Sequence, residues 1–208
     1  MGTDITIFVE EQSKDGSWEL VDEPVKHDQP YNYIDEIKFL PRSMDSGRNY
    51  NLFAILANCR NGLRSEELFK PIADQRGVPD DLSEIAKRVY ESSDDYHNAT
   101  WYYIEEVLDY DWSQTMQFAG DVDEKFKHLF KDNPLGYPRK ELERLQNPNR
   151  KEGESTIISG AAAYSKDGVT VRWRETYRDC AKHFLDRLKT YQNAKKPLSR
   201  RVVMWFSS

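Results

Sequence analysis

The chain has 208 residues, 30 basic and 36 acidic, with a net charge of −6; 38% are hydrophobic and 12% aromatic. That aromatic content argues against disorder, and no run of 18 apolar residues is present to span a membrane. Two cysteines, Cys59 and Cys180, are too few for a disulfide scaffold or a cysteine-built zinc site, so a reducing cytoplasm is the expected compartment. The first residues, Met1 to Asp4, lack the basic-then-apolar pattern of a secretion signal.

Residues 5–10 alternate and are β-branched, which predicts a strand. The Asp15-Gly16 pair predicts a hairpin turn, and residues 18–21 the returning strand. Residues 22–48 read as irregular, with Pro24, Pro30 and Pro41 and several aromatics. Residues 50–59 then predict a helix with an apolar stripe at Leu52, Phe53, Ile55, Leu56 and Cys59. Asn49 is placed to cap its start, and Gly62 to take the left-handed position after its end.

A second irregular stretch covers residues 64–78. Asp80 or Asp81 is positioned to cap a helix over 82–90, and 92–98 is polar and loop-like. Residues 99–103 suit a strand or a helix start equally, and 104–110 predict a helix. A short strand over 114–122 is expected to be interrupted at Gly120, and Asp123 to cap a helix over 124–130. After a break at 133–138 comes a short charged helix over 139–145.

Residues 156–164 read as a strand of small residues, with a hairpin turn at 166–168. Val169, Val171 and Trp173 alternate with Thr170, Arg172 and Arg174, a half-buried strand. Thr176 and Asp179 form a capping box before a helix whose apolar face runs from Tyr177 to Tyr191. The final apolar run, 201–206, reads as a strand buried on both faces inside a sheet. The expected fold is one α+β domain. Its sheet is mostly antiparallel, built from the N-terminal hairpin and the C-terminal strands, with helices and long loops inserted between them. Residues 123–152 form a candidate helical insertion.

Searches for common chemistry return little. His27, His97, His128 and His183 are not spaced as metal ligands, and no cofactor or metal is expected. No phosphate loop and no nucleophile elbow is present. Cys59 and Cys180 fall on apolar helix faces, where they read as small buried hydrophobes. His128 and His183 fit solvated or capping roles; His97, beside Asp94 and Asp95, is the one histidine to weigh for acid–base work.

Asp109, Asp111 and Trp112 gather two carboxylates and an indole near a helix end, as an acid–base pair or as a cap beside a core tryptophan. Arg48, Asn49, Asn58, Arg60 and Asn61 bracket one helix, and Arg76 follows a loop. Guanidinium and amide groups there suit a planar anion, and equally suit capping. Arg172 and Arg174 share a strand face that is either solvated or lines a cleft. Residues 1–123 carry 11 basic and 26 acidic side chains, a net of −15, whereas 124–208 carry 19 and 10, a net of +9. Such a split points to an anion site, or to two parts that neutralise each other on packing.

The run Arg48-Asn49-Tyr50-Asn51-Leu52-Phe53-Ala54-Ile55-Leu56-Ala57-Asn58, followed by Arg60-Asn61-Gly62, resembles a block in an uncharacterised family of small phage and bacterial proteins. Arg76-Gly77-Val78-Pro79-Asp80-Asp81, Glu106-Val107-Leu108-Asp109-Tyr110-Asp111-Trp112 and the closing Arg201 to Phe206 run resemble three more. Residues 123–160 have no counterpart, and Ser207-Ser208 stands where the family would carry an acidic or amide residue. The family has no assigned activity, so no catalytic role carries over. The resemblance implies a phage-type accessory protein in the host cytoplasm that sequesters or blocks a host component, in the manner of counter-defence proteins. The partner would be an anionic small molecule, such as a nucleotide, or a host protein, with nucleic acid less favoured and homo-oligomers allowed. The competing readings are an enzyme acting on a nucleotide or nucleic acid, and a protein–protein interaction module.

Overall fold

The hairpin predicted at the start is present in the computed structural model, which describes residues 2–21, 24–26, 39–41, 47–63, 65–146, 168–192 and 199–208. Strand β1 (Asp4–Gln12) pairs antiparallel with β2 (Trp18–Leu20). Gly16 turns the chain at φ +92°, where a Cβ would be strained, and the Asp15 carboxylate accepts the Ser17 N–H. Two more short strands, β3 (Pro24–Lys26) and β4 (Phe39–Pro41), pair within the stretch read as irregular.

Helix α1 (Tyr50–Ala57) starts as expected, the Asn49 side chain accepting the Leu52 N–H. Its end comes earlier than expected: Asn58 is the left-handed C-cap at φ +53°, and Gly62, which also takes positive φ at +81°, lies beyond it. Asparagine tolerates that region through local side-chain hydrogen bonds, here with Asn61. Helix α2 (Glu84–Tyr90) also corrects its expected cap. Ser83 occupies the N-cap, and Asp81 turns away to a distant arginine. The ambiguous segment is strand β5 (His97–Tyr103), bulged between His97 and Thr100, and α3 (Ile104–Asp109) follows.

Strand β6 (Thr115–Val122) runs through Gly120 without interruption. A Cβ at Gly120 would lie 3.4 Å from the Trp173 ring, at the edge of ordinary contact. The segment after Asp123 is a 3₁₀ helix (Glu124–Phe130) with Asp123 capping Lys125 N–H, and α4 (Arg139–Gln146) comes next. The strand expected over 156–164, and residues 166–167 of its turn, lie outside the described residues. Strand β7 (Val169–Thr176) pairs antiparallel with β6. Helix α5 (Tyr177–Thr190) opens on the predicted capping box: Asp179 accepts from Thr176 N–H, and Thr176 Oγ1 from Asp179 N–H. Strand β8 (Arg200–Ser207) ends the chain.

These elements form an α+β architecture in two compact units. The first comprises residues 1–61, 69–111 and 181–208. Its sheet has the order β2-β1-β8-β5 with every pairing antiparallel. Val202 to Phe206 are all fully buried in the central β8, because both sheet faces are covered. On one face Phe53 of α1 meets Phe206 edge-on at 5.1 Å, and Tyr102 O–H donates to the Leu56 carbonyl. On the other, Leu82, Ala86 and Val89 pack on Phe8, Val203 and Trp205. Helix α1 is buried on nearly all sides, which explains its unbroken apolar run.

An ion pair sits within this core. Glu10 and Arg201 are cross-strand partners, 0% and 2% exposed, joined at 2.8 Å. Arg201 also donates to the Asp81 carboxylate and carbonyl, and its guanidinium lies 3.9 Å from the Trp18 ring centre. The second Glu10 oxygen accepts the Ser83 N–H, and Trp18 Nε1–H donates to Asp81. The start of α2 is thereby tied to the sheet.

The second unit comprises residues 62–68 and 112–180. Its β6–β7 ribbon is covered on one face by the 3₁₀ helix and α4, through Val122, Phe126, Phe130, Leu142 and Val171. Trp173 stacks on Phe118 and meets Tyr137 edge-on.

Replacing Arg201 alone leaves Glu10 buried and unpaired. Arg201→Met is expected to lower the unfolding free energy by about 3–5 kcal/mol, and Glu10→Leu with Arg201→Met to restore most of it. Urea unfolding midpoints of the three proteins measure this.

Candidate functional site

The ribbon unit contains a groove of about 550 Å³ between the 3₁₀ helix and β7. Its lining is one-sided in charge: Lys127, His128, Lys131 and Arg172 against the single acid Glu124, over Phe130 and Val171. Local structure explains the placement. Val171 and Phe130 must pack inward, so the intervening polar positions of each element face the rim. Lys131 is the C-cap of the 3₁₀ helix, and Lys127 lies in its last turn, where cations oppose the carbonyl dipoles least.

Neither Lys127 nor Lys131 has a carboxylate partner among the described residues. Arg172 is held by Glu66 through a bidentate pair at 3.0–3.2 Å, which raises its pKa further and keeps it charged. His128 donates Nδ1–H to the Lys125 carbonyl at 2.8 Å, since a carbonyl can only accept. Its Nε2 is therefore the atom left to a ligand. The arrangement can hold an anion; it places no nucleophile beside a base.

Other residues expected at a site divide among separate local roles. In the sheet unit, Arg48 pairs with Asp4 at 2.8 Å, both more than half exposed. Asn49 and Asn58 cap α1 at its two ends, and Asn61 is bonded both ways to the backbone of Phe69. Arg76 grips Glu106 with two bonds and lies over the Trp101 and Tyr102 rings. Asp109 closes α3 and is exposed, as is Asp111. His97 opens β5 while Asp109 lies beyond its far end, a strand length of roughly 20 Å. The acid–base grouping of His97 with Asp109 and Asp111 is thus not assembled. In the ribbon unit, Trp112 is buried at 3% exposure, and Arg174 bonds to the Thr115 hydroxyl.

Two expected residues, Arg60 and His97, do meet. Arg60 Nε–H donates to Thr3 Oγ1, and Thr3 Oγ1 lies 3.0 Å from Ser208 Oγ. Ser208 Oγ is 3.0 Å from His97 Nε2, and His97 Nδ1 is 2.5 Å from Asn98 Oδ1. An amide oxygen only accepts, so Nδ1 carries the proton and Nε2 accepts from Ser208. Every donor in this chain then points the same way, from Arg60 to Asn98. Arg60 and Asn98 both hold positive φ, +55° and +50°, to reach these positions.

Both cysteines are buried: Cys180 on α5 as expected, and Cys59 in the turn just past the end of α1, not on the helix itself. Burial pushes the Cys59 thiol up to about 11, well clear of thiolate chemistry at neutral pH, although the Arg60 charge opposes the shift. Among the described residues no three His, Cys, Asp or Glu side chains converge as for a metal, and no helix is long and apolar enough to cross a membrane.

Of the lining residues, Lys127 and Lys131 were not singled out in the sequence, and His128 was given a solvated or capping role. Their only signal was membership of the basic C-terminal part of the chain. Compared with protein-family models, curated proteins and solved structures, the chain matches none.

Arg76 holds the Glu106 carboxyl below its ordinary value, despite partial burial. Burial pushes Asp81 up, but Arg201 and the Trp18 N–H outweigh it and hold it down. Groups with depressed folded-state pKa values stabilise the fold above about pH 4 and lose that contribution as pH falls through the folded value. The melting temperature of the wild type should therefore fall more steeply below pH 4 than that of an Asp81→Asn, Glu106→Gln variant. Parallel slopes would show the two pairs to be inert.

Proposed function

We propose that this chain is a binding protein that holds an anionic ligand in the groove of its ribbon unit. One observation carries the reading: among the described residues Lys127 and Lys131 have no carboxylate partner, beside Arg172 and the Nε2 of His128. Unpaired cations around an apolar floor attract an anion by long-range field and then hold it by charge-assisted hydrogen bonds. The basic excess of residues 124–208 strengthens that field; Glu124 is the one acid in the lining, and Glu66 and Asp121 lie behind it on Arg172 and Thr170.

The resemblance to small phage accessory proteins supports the same reading. Such a protein acts by occupying a host component, which requires recognition and no turnover. A capture role also fits a site whose histidine has no hydroxyl or thiol against it.

Titration with inorganic triphosphate, a panel of nucleotides and a glutamate-rich peptide tests this by calorimetry. At least one should bind with unit stoichiometry at low salt and be recovered intact. Lys127→Glu with Lys131→Glu should weaken it about 100-fold, since each charge-assisted contact is worth about tenfold. An unchanged affinity in the double variant, or no binding by any probe, would falsify the assignment.

A further inference from the structure

We infer that Ser208 is an activated nucleophile, with His97 as its general base, and that it cleaves carboxylic esters through an acyl-serine. The site lies in the sheet unit and does not depend on the groove.

Sheet register brings the groups together. Strands β1, β8 and β5 are antiparallel neighbours, so the start of β1, the end of β8 and the start of β5 fall at one end of the sheet. Asp4 pairs with Ser207, and the next step along that ladder sets Thr3 opposite Ser208. His97 pairs with Phe206, two residues before Ser208, and side chains two apart share a face. Thr3, Ser208 and His97 therefore stand in a row, on the face where Phe206 meets Phe53 of α1. Arg60, just past the end of α1, reaches the same row.

The geometry is that of a nucleophile, a base and an orienting group. Ser208 Oγ lies 3.0 Å from His97 Nε2, within reach for proton abstraction. His97 Nδ1–H donates to Asn98 Oδ1 at 2.5 Å, which leaves Nε2 unprotonated and aimed at the hydroxyl. The imidazole also stacks on the Phe206 ring, with centroids 6.3 Å apart, so its plane is fixed from two directions. Arg60 supplies the charge. Its Nε–H donates to Thr3 Oγ1 at 2.8 Å, and its Nη2 lies 3.5 Å from Ser208 Oγ. Among the described residues Arg60 has no carboxylate partner, so its remaining donors can meet an oxyanion formed at Ser208. Thr3 is fully buried and Ser208 is exposed, so the row meets solvent at the nucleophile.

Two backbone outliers converge on the same row. Asn98 and Arg60 hold φ +50° and +55°, and β5 is bulged between His97 and Thr100. Strain of this kind persists where the surroundings hold it in place; here it aims Asn98 at the imidazole and Arg60 at Thr3 and Ser208.

In the reaction, Ser208 Oγ bonds to the ester carbonyl carbon while its proton passes to His97 Nε2. The oxyanion so formed faces Arg60. Its collapse breaks the carbon–oxygen bond to the alcohol, which leaves with the proton from Nε2. Water then attacks the acyl-serine in the same way, giving the acid and restoring the hydroxyl and the neutral imidazole. An ester suits this set because an alcohol leaves more readily than an amine.

The test incubates the full chain with a fluorophosphonate and, separately, with p-nitrophenyl acetate. Peptide mapping should find a single phosphonate on Ser208, and the acetate should give a burst of about one equivalent of p-nitrophenol before slower turnover. Ser208→Ala, which removes one hydroxyl from an exposed residue, should abolish both. His97→Gln should slow both at least about 100-fold. Asn98→Gly keeps the positive φ and removes the orienting amide; as a change to a positioning residue it should lower kcat and leave KM unchanged. Labelling elsewhere than Ser208, the absence of a burst, or equal rates in the wild type and His97→Gln would each overturn the inference. Triphosphate binding by the groove is measured separately and stands or falls on its own.

Discussion

The sheet unit depends on placing an arginine inside its central strand. Arg201 is buried in β8, and a buried guanidinium is tolerated only where its charge and its donors are met. Glu10 from β1 and Asp81 from the approach to α2 meet them, and the Trp18 ring lies against the cation's face. One residue thus couples the neighbouring strand, the hairpin's second strand and a helix start. The remaining Glu10 oxygen takes the Ser83 N–H, so even the α2 N-cap is set from the sheet. Such a network contributes less to net stability than its bonds suggest, because desolvation offsets the attraction. Its effect is on arrangement: with Arg201 on the α2 face, β8 has one acceptable register against β1.

The ribbon unit solves a different problem. Among the described residues its two strands pair with each other and have one face covered by short helical segments that bury Phe126, Phe130 and Leu142. On β6 the Gln117 carbonyl is met by Glu66, and on β7 Arg174 is met by the 134–136 turn. What is left between that turn and the 3₁₀ helix is the groove. Its basic rim follows from the same rule that builds the core: where Phe126 and Phe130 point inward, the lysines that follow each of them, Lys127 and Lys131, point out.

Local features were readable without the fold. The Thr176–Asp179 box, the Asn49 cap and the Asp123 cap are all contacts across two or three residues, so their chemistry is written in neighbouring letters. Strand β8 was readable because its apolar run is continuous. Where the reading failed, a distant group had intervened. Asp81 left its capping role for Arg201, 120 positions away. Gly62 lost the α1 terminus to Asn58, whose side chain finds Asn61. Gly120 was taken for a strand breaker, yet the β6–β7 register runs straight through it. Of the site residues, Arg172 was read as either solvated or lining a cleft, and the lysines opposite it carried no pattern that singled them out.

By itself the sequence determined the kinds of element, their capping, the buried character of the last strand and the separation of acidic from basic stretches. These rest on periodicity and on contacts a few residues apart. Tertiary structure alone decided that Glu10 and Arg201, separated by 191 positions, share a core, and that Lys127 and Lys131 line one groove with Thr170, Val171 and Arg172 of β7. Pairing across such distances depends on which faces two elements bury together, and no local pattern encodes that choice.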